Sequence, residues 1–146
     1  MSGGPEKKSS GTRVRPGRVL VIDDEGVVGD ELARSLEEHD VVTVDCGEDA
    51  LALVTAGQRF DLILCDVMMP GMNGAALLAH LEVDHPAQAE RLIFMMDRMI
   101  SPIIQHLLEG VPNLCIERPF DMEGLRALIE RRIRTVPDSR TGSRTA

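Results

Sequence analysis

The chain has 146 residues, 43% of them hydrophobic, and three Phe are its whole aromatic content, so aliphatic side chains and eight Met must fill a single core. Its net charge of −8 is uneven: residues 1–18 carry +4, residues 137–146 carry +1, and the body between them carries −13. A body of that sign cannot neutralise phosphates, which argues against nucleic-acid binding by it. No apolar run reaches the length of a membrane span or forms the core of a signal peptide, so a cytoplasmic location without membrane contact is expected.

Residues 1–17 read as a flexible basic arm, rich in Ser, Gly, Lys and Arg. From there strand and helix signals alternate across a domain at 18–136, the pattern of a parallel α/β sheet. Strands are predicted near 18–23, 41–45, 61–66, 91–96 and 113–117. The first helix, over 25–39, puts Val28, Leu32 and Leu36 on one stripe; the second spans 47–56 with Gly57 as its C-cap. A third starts at Gly74, turns Leu77, Leu78 and Leu81 inward and is limited by Pro86. Ser101 and Pro102 cap a fourth that carries Ile103, Ile104, Leu107 and Leu108 as far as Gly110. The fifth runs over 121–135 with Leu125, Leu128, Ile129 and Ile133 on one face and Arg131, Arg132 and Arg134 near its negative end. Residues 137–146 read as a flexible tail. Cys46, Cys65 and Cys115 are odd in number and lack CxxC spacing, which points to reduced thiols rather than to disulfides or zinc.

Two apolar runs end in carboxylates. RVLVIDD closes on Asp23 and Asp24, and DLILCD closes on Asp66. Both are carboxyl ends of predicted parallel strands, the rim where open α/β sheets leave a ligand crevice. Carboxylates about 4 Å apart repel by roughly 4 kcal/mol per pair at an effective dielectric near 20, so three together recruit a cation or keep a proton. An oxygen-only donor set points to Mg²⁺.

With an acidic pair after strand one, a lone Asp after strand three and the loop VMMPGMNG behind it, the chain resembles the receiver domain of two-component response regulators. The likeness is closest in IDDE at 22–25, CDVMMPGMNG at 65–74 and ERPF at 117–120, and it covers about residues 18–135. It implies a flavodoxin-like, doubly wound sheet of five parallel strands in order 2-1-3-4-5 with five helices. It further implies that Asp66 is the phosphoacceptor, that Asp24, Asp66 and the Met68 backbone carbonyl bind Mg²⁺ directly, and that Asp23 acts through water. The donor would be a phosphohistidine on a histidine kinase or phosphotransfer protein. Downstream contacts would use the face of the fourth helix, fifth strand and fifth helix. Pro70 and Gly71 would shape the loop after Asp66, and Gly74 would begin the next helix or let backbone approach closely.

The pattern is broken at the groups that read the phosphoryl state. Met96 stands where typical receivers have Thr or Ser, and a thioether cannot donate the expected hydrogen bond, worth roughly 1.5–3 kcal/mol to a charged group. Asp97 follows it where a small residue is usual. Arg118, before Pro119, replaces the usual Lys and keeps the cation in a forked, planar form. Residues 19–136 contain nine Arg and no Lys, so a drift in composition accounts for Arg118 as well as a functional change does. Cys115 takes the place of the switch aromatic and has no ring to rotate.

The leading expectation is a stand-alone receiver that accepts a phosphoryl group on Asp66 and is not an enzyme beyond self-catalysed transfer. The alternative is a pseudo-receiver, an interaction module that acts without phosphorylation. A phosphate-ester hydrolase would need a general acid beside Asp66, which DVMM does not offer, and DDEGVV lacks the glycines that cradle a nucleotide phosphate.

Overall fold

Short runs of Val, Ile and Leu become strands and the amphipathic segments between them become crossover helices. The computed structural model describes residues 16–69, 71–97, 102–111, 113, 115–118 and 121–135. Strands β1 (Arg18–Ile22), β2 (Asp40–Val44), β3 (Leu62–Asp66), β4 (Leu92–Asp97) and β5 (Cys115–Arg118) pair in parallel in the order β2-β1-β3-β4-β5. Helices α1 (Val27–Ser35), α2 (Gly47–Thr55), α3 (Gly74–Asp84), α5 (Pro102–Glu109) and α6 (Met122–Thr135) are the five expected, joined by a one-turn α4 (Pro86–Ala89).

Both faces of the sheet are covered, which is why β1 after Arg18 and β3 before Asp66 are continuously apolar rather than alternating. On one face Val19, Val21, Leu62, Leu64, Ile93 and Met95 pack under Val28, Leu32 and Leu36 of the α1 segment and Leu125, Ile129 and Ile133 of α6. On the other, Leu20, Ile22, Ile63, Cys65, Leu92 and Phe94 meet Ala50 and Val54 of α2 and Leu77, Leu78 and Leu81 of α3. Among the described residues no helix is long and apolar enough to cross a membrane.

Local chemistry sets the ends of the elements. α2 closes as expected at Gly57, whose φ is 106°, with Gly57 N–H donating to the Val54 carbonyl and Gln58 N–H to that of Leu53. α1 is shorter than predicted. Gly26, left-handed at φ 78°, delays its start, and Leu36 leaves helical geometry so that His39 Nδ1 can accept the N–H of Gly17 at 3.0 Å. Pro86 does not simply end α3: it opens α4, where a missing N–H does no harm. There the buried Gln88 accepts from Phe60 N–H at 2.9 Å and donates to the Phe60 carbonyl at 3.2 Å, as a neighbouring strand would. Ile103, one of the apolar residues of α5, is 74% exposed. The predicted cap Ser101 lies outside the described residues, as do the side chains of Ile104 and Leu107.

Candidate functional site

β1 and β3 are adjacent, so their carboxyl ends bring Asp23, Asp24 and Asp66 to one rim. One carboxylate oxygen from each lies within 4.8 Å of the others. Asp23 and Asp66 are 3% and 4% exposed, whereas Asp24 faces solvent. Asp23 Oδ1 accepts the N–H of Glu25 at 3.2 Å and its Oδ2 that of Val28 at 3.2 Å, so it also caps the first turn of α1, whose N-cap Gly26 has no side chain to offer. Asp66 Oδ1 accepts the N–H of Met68 at 3.0 Å, and Met68 is half exposed at the mouth. Two buried carboxylates and one exposed, all oxygen donors, suit a hard divalent cation with room for water.

The loop behind Asp66 is held by close packing. Gly71 sits at φ 75°, and Asn73 caps α3 by accepting the N–H of Ala76 at 2.8 Å. Gly74 does both things its position suggested: it begins α3, and a Cβ there would lie 2.9 Å from Phe94 and 3.2 Å from the Asp66 carbonyl oxygen. Pro70 lies outside the described residues.

Negative charge extends beyond the expected trio. A cleft of about 340 Å³ is lined by Asp23, Gly26, Asp30, Thr43, Val44, Asp45 and Asp49. Asp45 directly follows β2 and could have been found by the same strand-end rule as the others; Asp30 and Asp49 enter through the placement of α1 and α2. A separate group, Glu38, His39 and Glu130, also has ligand atoms within 4.8 Å. Because His39 Nδ1 accepts the Gly17 N–H, its Nε2 carries the proton in the neutral ring and is not free to ligate.

The residues that depart from the receiver pattern divide between the two faces. Met96 alternates onto the face of Leu92 and Phe94 and packs, partly buried, against that cluster. Cys115, the register partner of Phe94, joins the same cluster, and burial raises its thiol pKa. Asp97 and Arg118, expected just past strand ends, are the last residues of β4 and β5 and are register partners; their side chains lie outside the described set, as does Pro119. Of the basic run, Arg131 is exposed and Arg132 half-buried. Desolvation, then Arg91 and Arg131, lower the Arg132 pKa. Arg91 precedes β4, which sets this basic group at the amino end of the sheet, away from the acidic rim.

The family model for the response regulator receiver domain matches residues 19–130. The chain belongs to that family. Among its relatives, the probable transcriptional regulatory protein TcrX of Mycobacterium tuberculosis is 32% identical over 131 residues, 86% of this chain and 55% of that protein. The Regulator of RpoS of Escherichia coli is 31% identical over 115 residues, 77% of this chain and 33% of that protein. This receiver therefore spans about half the length, or less, of these curated relatives. Among solved structures, the signal receiver domain of a signal transduction histidine kinase from Syntrophus aciditrophicus superposes with a TM-score of 0.72 at 28% identity, covering 89% of this chain and 98% of that one. The chemotaxis protein CheY4 of Vibrio cholerae gives 0.65 at 25% identity, covering 80% and 98%.

Proposed function

We propose that this receiver accepts a phosphoryl group on Asp66 from a phosphohistidine of a histidine kinase or phosphotransfer protein and passes the change on by protein–protein contact through α5, β5 and α6. The observation that carries the proposal is the approach of Asp23, Asp24 and Asp66 oxygens to within 4.8 Å at one rim. Asp24, Asp66 and the Met68 carbonyl would hold Mg²⁺, with Asp23 acting through water, and the bound ion would supply the charge neutralisation that an anionic phosphoryl group needs to come near a carboxylate. An Asp66 oxygen forms the new O–P bond as the P–N bond of the donor breaks, and the departing imidazole takes its proton from water. Asp23, tied to the backbone of Glu25 and Val28, keeps one side of the set fixed. Arg118 provides the cation for the phosphoryl oxygens. The chain acts as a phosphoacceptor with self-catalysed transfer and loss of the group.

One observation favours the second reading, a pseudo-receiver whose surface is read without phosphorylation: Met96 packs into an apolar cluster where a hydroxyl would be needed. The same experiment decides between them. The chain is incubated with Mg²⁺ and acetyl phosphate, and separately with its cognate kinase, and its intact mass is compared with that of Asp66→Asn. A phosphoryl adduct lost in Asp66→Asn supports the first reading. No adduct from either donor supports the second.

A further inference from the structure

His39 sits in the turn between α1 and β2, its ring 1% exposed. Nδ1 accepts the N–H of Gly17 at 3.0 Å, while Nε2, which carries the proton of the neutral ring, has no hydrogen-bond partner among the described residues. Acid stands beside that unused donor. Glu38 Oε2 is 3.8 Å from Nε2, and ligand atoms of Glu38, His39 and Glu130 lie within 4.8 Å of one another. The same Glu38 oxygen is 3.6 Å from Arg126 Nη1, which is the cation that α6 brings to this corner. Asp40, at the start of β2, is held by Arg18 Nε at 3.0 Å; Asp61, beyond Gly17, accepts the Arg18 N–H at 2.9 Å and lies 4.0 Å from Arg91. Gly17 is the root of β1, where residues 1–17 join the sheet. Its carbonyl accepts the Asp40 N–H at 2.8 Å, and a Cβ on it would overlap Ile133 of α6.

We infer that His39 is a proton-operated latch on the root of β1: the neutral ring holds Gly17, and a second proton releases it. Burial of the ring and the Gly17 N–H oppose that proton, whereas the Glu38 and Glu130 carboxylates favour it. A proton taken from solvent can settle only on Nδ1, the atom that accepts the Gly17 N–H. Two N–H groups cannot bond each other, so charging the ring and holding Gly17 exclude one another. The imidazolium then serves Glu38 and Glu130 as a charge-assisted donor, and the Gly17 N–H is left to water. Release frees the attachment of a segment that carries Lys7, Lys8, Arg13 and Arg15 against Glu6 alone. Nothing in this exchange depends on the chemistry of Asp66.

The test follows the full, nitrogen-labelled chain by NMR from about pH 8 to about pH 5, a span that includes the ordinary histidine transition. At the alkaline end the ring nitrogens of His39 should show Nε2 protonated and Nδ1 bare. As the ring takes its second proton, the Gly17 amide signal should move with the same midpoint. Its hydrogen-exchange protection, corrected for the pH dependence of exchange itself, should fall about tenfold. His39→Asn places a side-chain oxygen near the position of Nδ1 and cannot be charged, so its Gly17 signal and protection should not follow pH. Glu130→Gln, which keeps the ring, should need a lower pH to release Gly17. A ring that stays neutral throughout overturns the inference, as does one protonated at Nδ1 at the alkaline end. Gly17 protection indifferent to the ring's titration overturns it too, and so does a pH response that persists in His39→Asn. If that variant does not fold, the ring and Gly17 signals of the unsubstituted chain decide.

Discussion

The carboxylate of Asp23 accepts the backbone N–H of Val28 at 3.2 Å, which makes one member of the acidic trio the starting cap of α1. Stability and cation affinity are thus joined in a single side chain. In chelator, Asp23→Ala and Asp23→Asn both relieve repulsion within the trio, but only the Asn amide oxygen still accepts an N–H, so the Ala variant should be the less stable of the two by about 1 kcal/mol. Urea denaturation of the two variants measures this. If the Ala variant is as stable as the Asn variant, the cap contributes nothing.

Mg²⁺ should raise the melting temperature, because bound cation relieves repulsion among Asp23, Asp24 and Asp66. A free Mg²⁺ concentration a hundred times Kd stabilises the folded state by about 2.7 kcal/mol. Asp24→Asn should raise the melting temperature in chelator and remove most of the Mg²⁺ effect. Identical melting curves of the parent with Mg²⁺ and with chelator would argue against a cation in this cluster.

Burial, and then the charge of Asp66 beside it, push the Cys65 thiol well above its ordinary 9.0. With the folded value above the unfolded one, the stability that Cys65 contributes is intact below pH 9.0 and declines above it, since only the unfolded chain releases the proton there. The decline is at most about 1.4 kcal/mol per pH unit for one group. Denaturation midpoints collected on both sides of that pH should fall on the alkaline side. Cys65→Ala should flatten the fall, and Cys115, shifted in the same direction by burial, should leave a residual slope.

Gly74 lies so close to β4 that an added Cβ would stand 2.9 Å from the Phe94 ring. Gly74→Ala should therefore destabilise the fold by roughly 1–3 kcal/mol, and it should also disturb Asp66, whose carbonyl oxygen is the other near neighbour. The check is a denaturation curve together with Mg²⁺ titration. Unchanged stability with unchanged affinity would mean that the loop yields without effort.

Much of this was legible in one dimension. The apolar runs marked all five strands, and their acidic ends marked Asp23, Asp24 and Asp66, because a strand buried on both faces can become polar only where it leaves the sheet. Pro86 does limit α3, which ends at Asp84, and the same ring opens the one-turn α4, which was not among the predicted helices. Periodicity identifies a stripe, but what packs against it decides whether a residue such as Ile103 is covered.

The sequence by itself determined the alternation of strands and helices, the acidic strand ends at Asp23, Asp24 and Asp66, and the absence of hydroxyl and ring at Met96 and Cys115, all of which depend on residue type and local spacing. Tertiary structure alone decided that Asp30 and Asp49 join Asp23 and Asp45 in one negative cleft, and that Asp97 is the register partner of Arg118. Those relations join residues through strand register and helix placement. Both arise from burying two apolar faces at once, and no local stretch of chain records them.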